Sequence, residues 1–281
     1  MKEIRGRSVL VTGAAGGIGK ATAIEFAREG ADPLILNDIN KVGLEDTADK
    51  AAAYGGRVVV LPADVSDYDA VKEMVEKALD EAGAIDILVN VAGTAIIAKL
   101  EEMTIDEWRH VLGVDLFGAL HTVHCLYPHM LERGSGHIVN IASVAGLVAL
   151  HPYNTPYYLS KFGIVGFSEG LMLEASTRGI GVTCICPGGV KTAIYDDSPF
   201  KGFSEEAREK AKEFLLSTAE EPEDTARTIV SAVKSNKFLV VTTPVAKAVY
   251  FVRRHFPLLW FPLTKAISRW FVKNFDKYRT Q

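Results

Sequence analysis

Cysteine is scarce in this chain, and so is any spacing that would use it. The three thiols, Cys125, Cys184 and Cys186, are odd in number and show no Cys-x-x-Cys pair. That excludes a disulfide framework and a zinc site, so reduced thiols and no bound metal are expected. Excess positive charge is also missing. The 31 Lys and Arg are outnumbered by 35 Asp and Glu, for a net charge of −4, and a nucleic-acid partner is not expected. No secretory leader is visible, because Met1 to Arg7 runs straight into a strand-like segment. Residues 134–160 lack Lys, Arg, Asp and Glu, yet Asn140, His151, Pro152, Asn154 and Pro156 interrupt them. A buried strand followed by a polar loop fits that run better than a membrane span. Linker-like stretches and internal repeats are absent too. What remains is 281 residues, 48% hydrophobic and 23% charged, enough for one large folded core. A cytoplasmic location is expected.

What is present alternates. Short apolar runs begin at Ser8, Pro33, Val58, Ile85, Ile138, Val182 and Phe238. Helix-patterned stretches separate them at 18–29, 41–53, 67–82, 104–132, 157–178, 204–217 and 222–235. The pattern predicts an α/β fold: a Rossmann-like, doubly wound parallel sheet of about seven strands with helices on both faces. Such a sheet binds its ligand at the carboxyl ends of its strands. Several of these runs end in Gly, Asn, Asp or Ser. Residues 1–244 are expected to form this domain, and 245–281 a C-terminal helical extension.

The first strand leads into Gly13-Ala14-Ala15-Gly16-Gly17-Ile18-Gly19. Glycine allows a tight turn and close approach of backbone to a pyrophosphate, and the following helix offers free N–H groups and a positive dipole end. A glycine-rich turn alone is a weak sign; its place between the first strand and the first helix strengthens it. Asp38 lies 19 residues beyond Gly19, at the end of the second strand. An acid there can accept hydrogen bonds from the adenosine ribose and would repel a 2′-phosphate. No Lys or Arg lies in 13–18 or 37–40 to offset it, so NAD is expected over NADP. The plainer reading of Asp38 is a cap for the next helix.

The spacing Thr-Gly-x-x-x-Gly-x-Gly at Thr12 to Gly19 resembles that of the short-chain dehydrogenase/reductase family. Further motifs follow in order. Asp64-Val65 is similar to the family's adenine-contacting pair. Asn90-Val91-Ala92-Gly93 is similar to its Asn-Asn-Ala-Gly, with Val91 replacing the second Asn. Pro187-Gly188, with Val190 and Thr192, resembles its nicotinamide-carboxamide motif. The likeness covers roughly residues 5–245. It implies a dinucleotide held by Gly13, Ala15, Gly16, Gly17, Ile18, Gly19, Asp38, Asp64, Val65, Asn90, Ala92, Gly93, Pro187, Gly188, Val190 and Thr192. A homodimer or homotetramer is expected.

Tyr157 and Lys161 are four residues apart, on one face of a helix. A tyrosine titrates near about 10, but a neighbouring ammonium and a positive nicotinamide ring would lower that value. Tyr157 could then exchange a proton with an alcohol. Tyr158 is out of register, because the family's Tyr-x-x-Ser-Lys aligns only with Tyr157, Ser160 and Lys161. Lys161 is further implied to hold the nicotinamide ribose. Ser143, 14 residues before Tyr157 at a strand end, is expected to hydrogen-bond the substrate oxygen, although serines there often only cap turns. The family often carries an Asn where this chain has Asp115. Its useful group is the backbone carbonyl of a helix break, which Asp115 can keep while adding a charge. The expected catalytic set is Ser143, Tyr157, Lys161 and Asp115. The expected activity is NAD-dependent interconversion of a secondary alcohol and a ketone on a hydrophobic, steroid- or lipid-like substrate. The alternatives are a 3-oxoacyl thioester reductase and a non-catalytic NAD-binding regulator.

Residues 193–216 are expected to cover the substrate; Tyr195, Phe200 and Phe203 either line an apolar pocket with Tyr153, Leu147 and Ile96 or pack locally. Beyond the resemblance, residues 245–281 carry eight Lys and Arg against a single acid, Asp276, a local +7 against −11 elsewhere. Pro257 and Pro262 are expected to divide the tail into two short helices. Its aromatic, basic character suits either a membrane surface or packing within the molecule or a dimer.

Overall fold

A computed structural model describes residues 3–275, apart from the side chains of Phe214, Leu215 and Phe275. Asp276, Lys277 and Arg279, counted above in the basic tail, lie outside the described residues. The seven strands are β1 (Val9–Thr12), β2 (Leu34–Asn37), β3 (Val58–Val60), β4 (Ile87–Asn90), β5 (Gly136–Ile141), β6 (Ile180–Cys186) and β7 (Leu239–Val241). They form one sheet in the order β3-β2-β1-β4-β5-β6-β7, and every pairing is parallel. The order reverses between β1 and β4. That switch point opens a crevice at the strand carboxyl ends.

The helices follow as α1 (Gly17–Arg28), α2 (Lys41–Ala52), α3 (Tyr68–Ala82), α4 (Ile105–Leu112), α5 (Gly118–Arg133), α6 (Thr155–Ala175), α7 (Ile194–Asp197), α8 (Glu205–Leu216), α9 (Pro222–Ser235), α10 (Pro244–His255) and α11 (Pro257–Phe275). Their starts are chemically marked. Asn40 and Asp67 accept backbone N–H bonds at α2 and α3, Thr104 and Glu107 form a reciprocal cap at α4, and Pro222 opens α9.

Alternation within the strands builds two cores. Val9, Val11, Leu36 and Val89 face Phe26 of α1 and Ile229 of α9. Leu10, Ile35, Leu88 and Ile138 face Val75 of α3 and Leu126 of α5. Both faces are covered, so β1, β2, β4 and β5 are buried throughout, while the edge strands β3 and β7 are half-buried.

Two expectations change. The stretch 104–132 is not one helix: a π-helical turn at Gly113–Phe117 separates α4 from α5 and carries Asp115. Pro262 does not end a helix but lies inside α11. The break falls instead at Phe256, ahead of Pro257. Pro262 withholds a bond from the carbonyl of Leu258, and both residues are exposed, so water can serve that carbonyl.

Candidate active site

The glycine turn closes onto β4. Gly13 has φ +67, and a Cβ there would lie 2.7 Å from the nitrogen of Ala92, so only glycine fits. Thr12 ties the same junction, accepting from the N–H of Val91 at 3.1 Å. Gly16 behaves differently: a Cβ on it would meet nothing within 4 Å. It begins α1 with no side-chain cap and no acid in the first turn. An uncapped helix start with open space above its backbone suits a pyrophosphate.

One cleft of about 620 Å³ runs across the strand ends. It is lined by Gly13, Ala15, Gly16, Gly17, Ile18 and Gly19 from the turn, and by Asp38, Asp64 and Val65 beyond β2 and β3. Ala92, Gly93, Ser143, Tyr157, Lys161, Pro187, Gly188, Val190 and Thr192 complete it. Asp38 accepts from the backbone N–H of Ala15 at 3.1 Å and of Asn40 at 2.9 Å. The cap of α2 is Asn40, not Asp38. Among the described residues, Lys161 is the only Lys or Arg lining the cleft. These features fit a dinucleotide.

Asn90 departs from the expected lining set. Its side chain is buried beneath the cleft, donating to Asn140 at 3.0 Å and accepting from Thr122 at 2.7 Å. Asn140 donates onward to Ser168 at 3.0 Å. The chain of bonds joins β4, β5, α5 and α6 behind the site, so Asn90 can act only by holding those elements. Sequence reading missed Asn140, Thr122 and Ser168, because their partners are 28 to 50 residues away. It also missed His110, Thr94 and Val114, which line the cleft from positions within or beside the motifs that carry no motif residue of their own.

Ser143, Tyr157 and Lys161 converge. The Ser143 and Tyr157 hydroxyls hydrogen-bond each other, and the Lys161 ammonium lies 5.3 Å from the centre of the Tyr157 ring. Asp115 does not line the cleft. It is buried behind Lys161, with Oδ2 3.3 Å from Nζ. Thr94 donates its N–H to Oδ1 at 2.6 Å, and Ser160 donates its hydroxyl to Oδ2 at 3.2 Å.

The expected pull of Lys161 on Tyr157 is there, but burial outweighs it. Burial pushes the Tyr157 phenol above its ordinary value and Asp115 adds to that, against the opposing pull of Lys161 and Ser143. Lys161 would be lowered by burial, but Asp115 and Tyr157 raise it overall, so it stays charged. Burial raises the Asp115 carboxyl against the pull of Lys161, Thr94 and Ser160. The ammonium is therefore shared between a carboxylate and a phenol. Neighbouring Tyr195 is pushed up to about 12 by burial, with Tyr157 adding to it.

The expected apolar pocket is corrected. Tyr195 lines the cleft, but Tyr153, Phe200, Phe203, Leu147 and Ile96 do not. Tyr153, Phe200 and Phe203 pack with Phe271 of α11. Leu147 joins Trp260 beneath α10, and Ile96 packs with Val111. The tail supplies inward-facing aromatic partners for Tyr153, Phe200, Phe203 and Leu147, while Ile96 packs with Val111.

The family model for short chain dehydrogenases matches residues 7–199. The chain belongs to the short-chain dehydrogenase/reductase family. It is similar to 17-beta-hydroxysteroid dehydrogenase 13 of Rattus norvegicus, 35% identical over 271 residues, covering 95% of this chain and 84% of that one. An alignment of that extent enters residues 245–281, so the likeness does not stop at residue 245. The 3-oxoacyl-[acyl-carrier-protein] reductase FabG of Thermotoga maritima is 36% identical over 228 residues, 81% of this chain and 90% of its own. A short-chain dehydrogenase/reductase from Burkholderia phymatum, solved in complex with NAD, superimposes with a TM-score of 0.83 at 30% identity, over 92% of this chain and 96% of its own. This short-chain dehydrogenase/reductase is an oxidoreductase of an NAD(P)-binding family.

Proposed function

We propose that the protein interconverts a secondary alcohol and a ketone with NAD, acting on an apolar substrate of steroid or lipid type. The observation that carries the reading is the meeting of Ser143, Tyr157 and Lys161 in the cleft that also holds the glycine turn and Asp38. Bound there, NAD would accept or return the hydride. The turn and α1 would hold its pyrophosphate, Asp38 its adenosine ribose, Asp64 and Val65 its adenine, and Lys161 its nicotinamide ribose. Tyr157 takes the alcohol proton in oxidation and returns it in reduction, while Ser143 hydrogen-bonds the same oxygen. Asp115 holds Lys161 in place, and adds to the burial that keeps the Tyr157 phenol above its ordinary value.

NAD is preferred in this reading because the adenosine end offers a carboxylate and no cation. The name of the Thermotoga maritima relative favours a second reading, a 3-oxoacyl thioester reductase; that reading expects NADP, and Asp38 opposes it. A non-catalytic NAD-binding regulator would not need the intact Ser143, Tyr157 and Lys161. The proposal extends to a homo-oligomer in the cytoplasm, supported by exposed Leu120 on α5 and Leu159 and Leu173 on α6. The test is NADH formation across steroids, long-chain secondary alcohols and 3-hydroxyacyl thioesters, with NADP in parallel. Turnover of the apolar alcohols with NAD supports the assignment. Turnover confined to the thioesters with NADP replaces it.

A further inference from the structure

The tail has two unlike surfaces. Inward, Trp260 of α11 is buried against Val249, Tyr250 and Val252 of α10 and against Ile164 of α6. One end of the same helix buries Phe271, which stacks on His151 at 5.4 Å and lies 6.0 Å from Tyr153. Tyr153 in turn meets Phe203. Those segments flank the substrate end of the site: His151 and Tyr153 precede Tyr157 by little more than a helical turn, and Phe200 and Phe203 follow Tyr195 and Ser198, which line the cleft.

Outward, the corner where α10 meets α11 is apolar and open. Leu258 is 89% exposed, Leu259 65% and Phe261 62%, with Phe251 and Phe256 exposed beside them. A cluster of large side chains of this kind is unusual on a free surface. The charge around it has one sign. Residues 244–275 contain Lys247, Arg253, Arg254, Lys265, Arg269 and Lys273 and no Asp or Glu. Arg253 is turned inward, 5.7 Å from the Phe162 ring and 6.0 Å from Trp260. The other five are exposed. Lys265, Arg269 and Lys273 recur every four residues, so they form one stripe along α11 running away from the apolar corner.

We infer that the outer surface of α10 and α11 docks on an anionic lipid surface, with Leu258, Leu259 and Phe261 entering the acyl boundary and the Lys and Arg stripe meeting the headgroups. An apolar projection flanked by long cations is the chemistry of an interfacial helix, since Lys and Arg stems can lie along the acyl boundary while their charges remain in water. Insertion is shallow: among the described residues, no helix is long and apolar enough to cross a membrane. A second copy is disfavoured as the occupant, because a twofold contact would set this all-cationic face against itself. Docking would leave α11 between the lipid and the 151–153 and 200–203 segments, which pack against its inner face through Phe271. The inference stands apart from the assigned chemistry, since lipid binding is read without turnover.

The test is co-sedimentation of the purified full-length protein with phosphatidylcholine–phosphatidylglycerol vesicles and with phosphatidylcholine alone. Binding should be at least about tenfold tighter to the anionic vesicles and weaken as salt is raised. The variant carrying Leu258→Ser, Leu259→Ser and Phe261→Ser should lose that binding. It should keep the wild-type melting temperature and NAD affinity, because all three side chains are exposed and outside the cleft. Lys265→Glu with Arg269→Glu should also abolish the preference for anionic lipid. Equal binding by wild type and the triple variant, or no preference for the anionic vesicles, overturns the inference. So does a triple variant whose only change is a smaller oligomer in light scattering, which would assign the corner to a second copy.

Discussion

The two ends of the cleft are built by different means. At the dinucleotide end the surface is mostly backbone and short side chains set directly on strand ends: the Gly13–Gly19 turn after β1, Asp38 after β2, Asp64 after β3, and Ala92-Gly93 after β4. At the end proposed for the substrate, beyond Tyr195 and Ser198, segments distant in sequence lean on one another. Loop 151–153, the stretch from α7 to Phe203 and the far end of α11 meet through Tyr153, Phe203 and Phe271. The first end is tied mainly to the fully buried strands β1, β2 and β4, which resist distortion; only Asp64 follows a half-buried edge strand. The second is held by side-chain packing on loops, so its shape can change without disturbing the sheet. Between them stand Tyr157 and Lys161 on α6, fixed from behind by Asp115 and Ser160.

The largest test strikes the middle. Tyr157→Phe should lower kcat about a hundredfold or more in both directions, while the NAD dissociation constant moves little. Stopped-flow turnover and cofactor titration check both halves of that statement, and near-normal turnover would remove Tyr157 from the chemistry. The next test separates the dinucleotide end. Asp38→Ser should raise the ratio of kcat/KM with NADP to that with NAD by roughly thirtyfold, about 2 kcal/mol of relieved like-charge repulsion. An unchanged ratio would mean that Asp38 does not face the adenosine ribose.

The same contrast explains what could be read from sequence. The parallel sheet, its seven strands and the glycine turn were legible because each is local: a run of Val, Leu and Ile, then a residue such as Gly13 whose positive φ has one chemical solution. Asp38 was legible for the same reason, from one strand end and one distance. The partner of Lys161 was not. Asp115 lies 46 residues away, on a π-helical turn that interrupts what the hydrophobic pattern presents as one helix. Asn90 reads as a motif residue, yet its side chain serves a buried chain of amides and hydroxyls whose members have no common spacing. Whether Tyr153, Phe200 and Phe203 line the cleft or pack locally was not legible, because their partner Phe271 comes from the distant tail.

The third prediction concerns the shared ammonium. The phenol of Tyr157 is held above its ordinary value by burial and by Asp115. Oxidation needs the phenolate, so its kcat/KM should climb with pH until Tyr157 has ionised. Reduction needs the phenol and should stay level across neutral pH. Asp115→Asn removes a negative charge from beside Tyr157 and leaves Lys161 without its ion pair, and both changes favour the phenolate. The rising limb of oxidation should therefore move to lower pH by about one unit, making oxidation near neutrality about tenfold faster relative to reduction. The resemblance to a family with Asn at this position predicts that the variant folds. A limb that stays in place, or moves upward, would reduce Asp115 to a structural support for the π-helical turn.

The smallest effect tests whether the tail belongs to the substrate end alone. Phe271→Ala removes the ring that stacks on His151 and packs beside Tyr153. It touches neither the glycine turn nor the catalytic set. Loss of a buried Phe side chain costs about 3 kcal/mol where the surroundings cannot collapse, but here one end of a terminal helix can lift away. The effect should therefore be local. KM for a bulky apolar alcohol should rise roughly threefold, less than about 1 kcal/mol, with NAD affinity and the turnover of a small secondary alcohol unchanged. If NAD affinity and the turnover of the small alcohol also fall, α11 supports the whole domain and the two ends of the cleft are not independent. If none moves, the Tyr153–Phe203 wall stands without the tail.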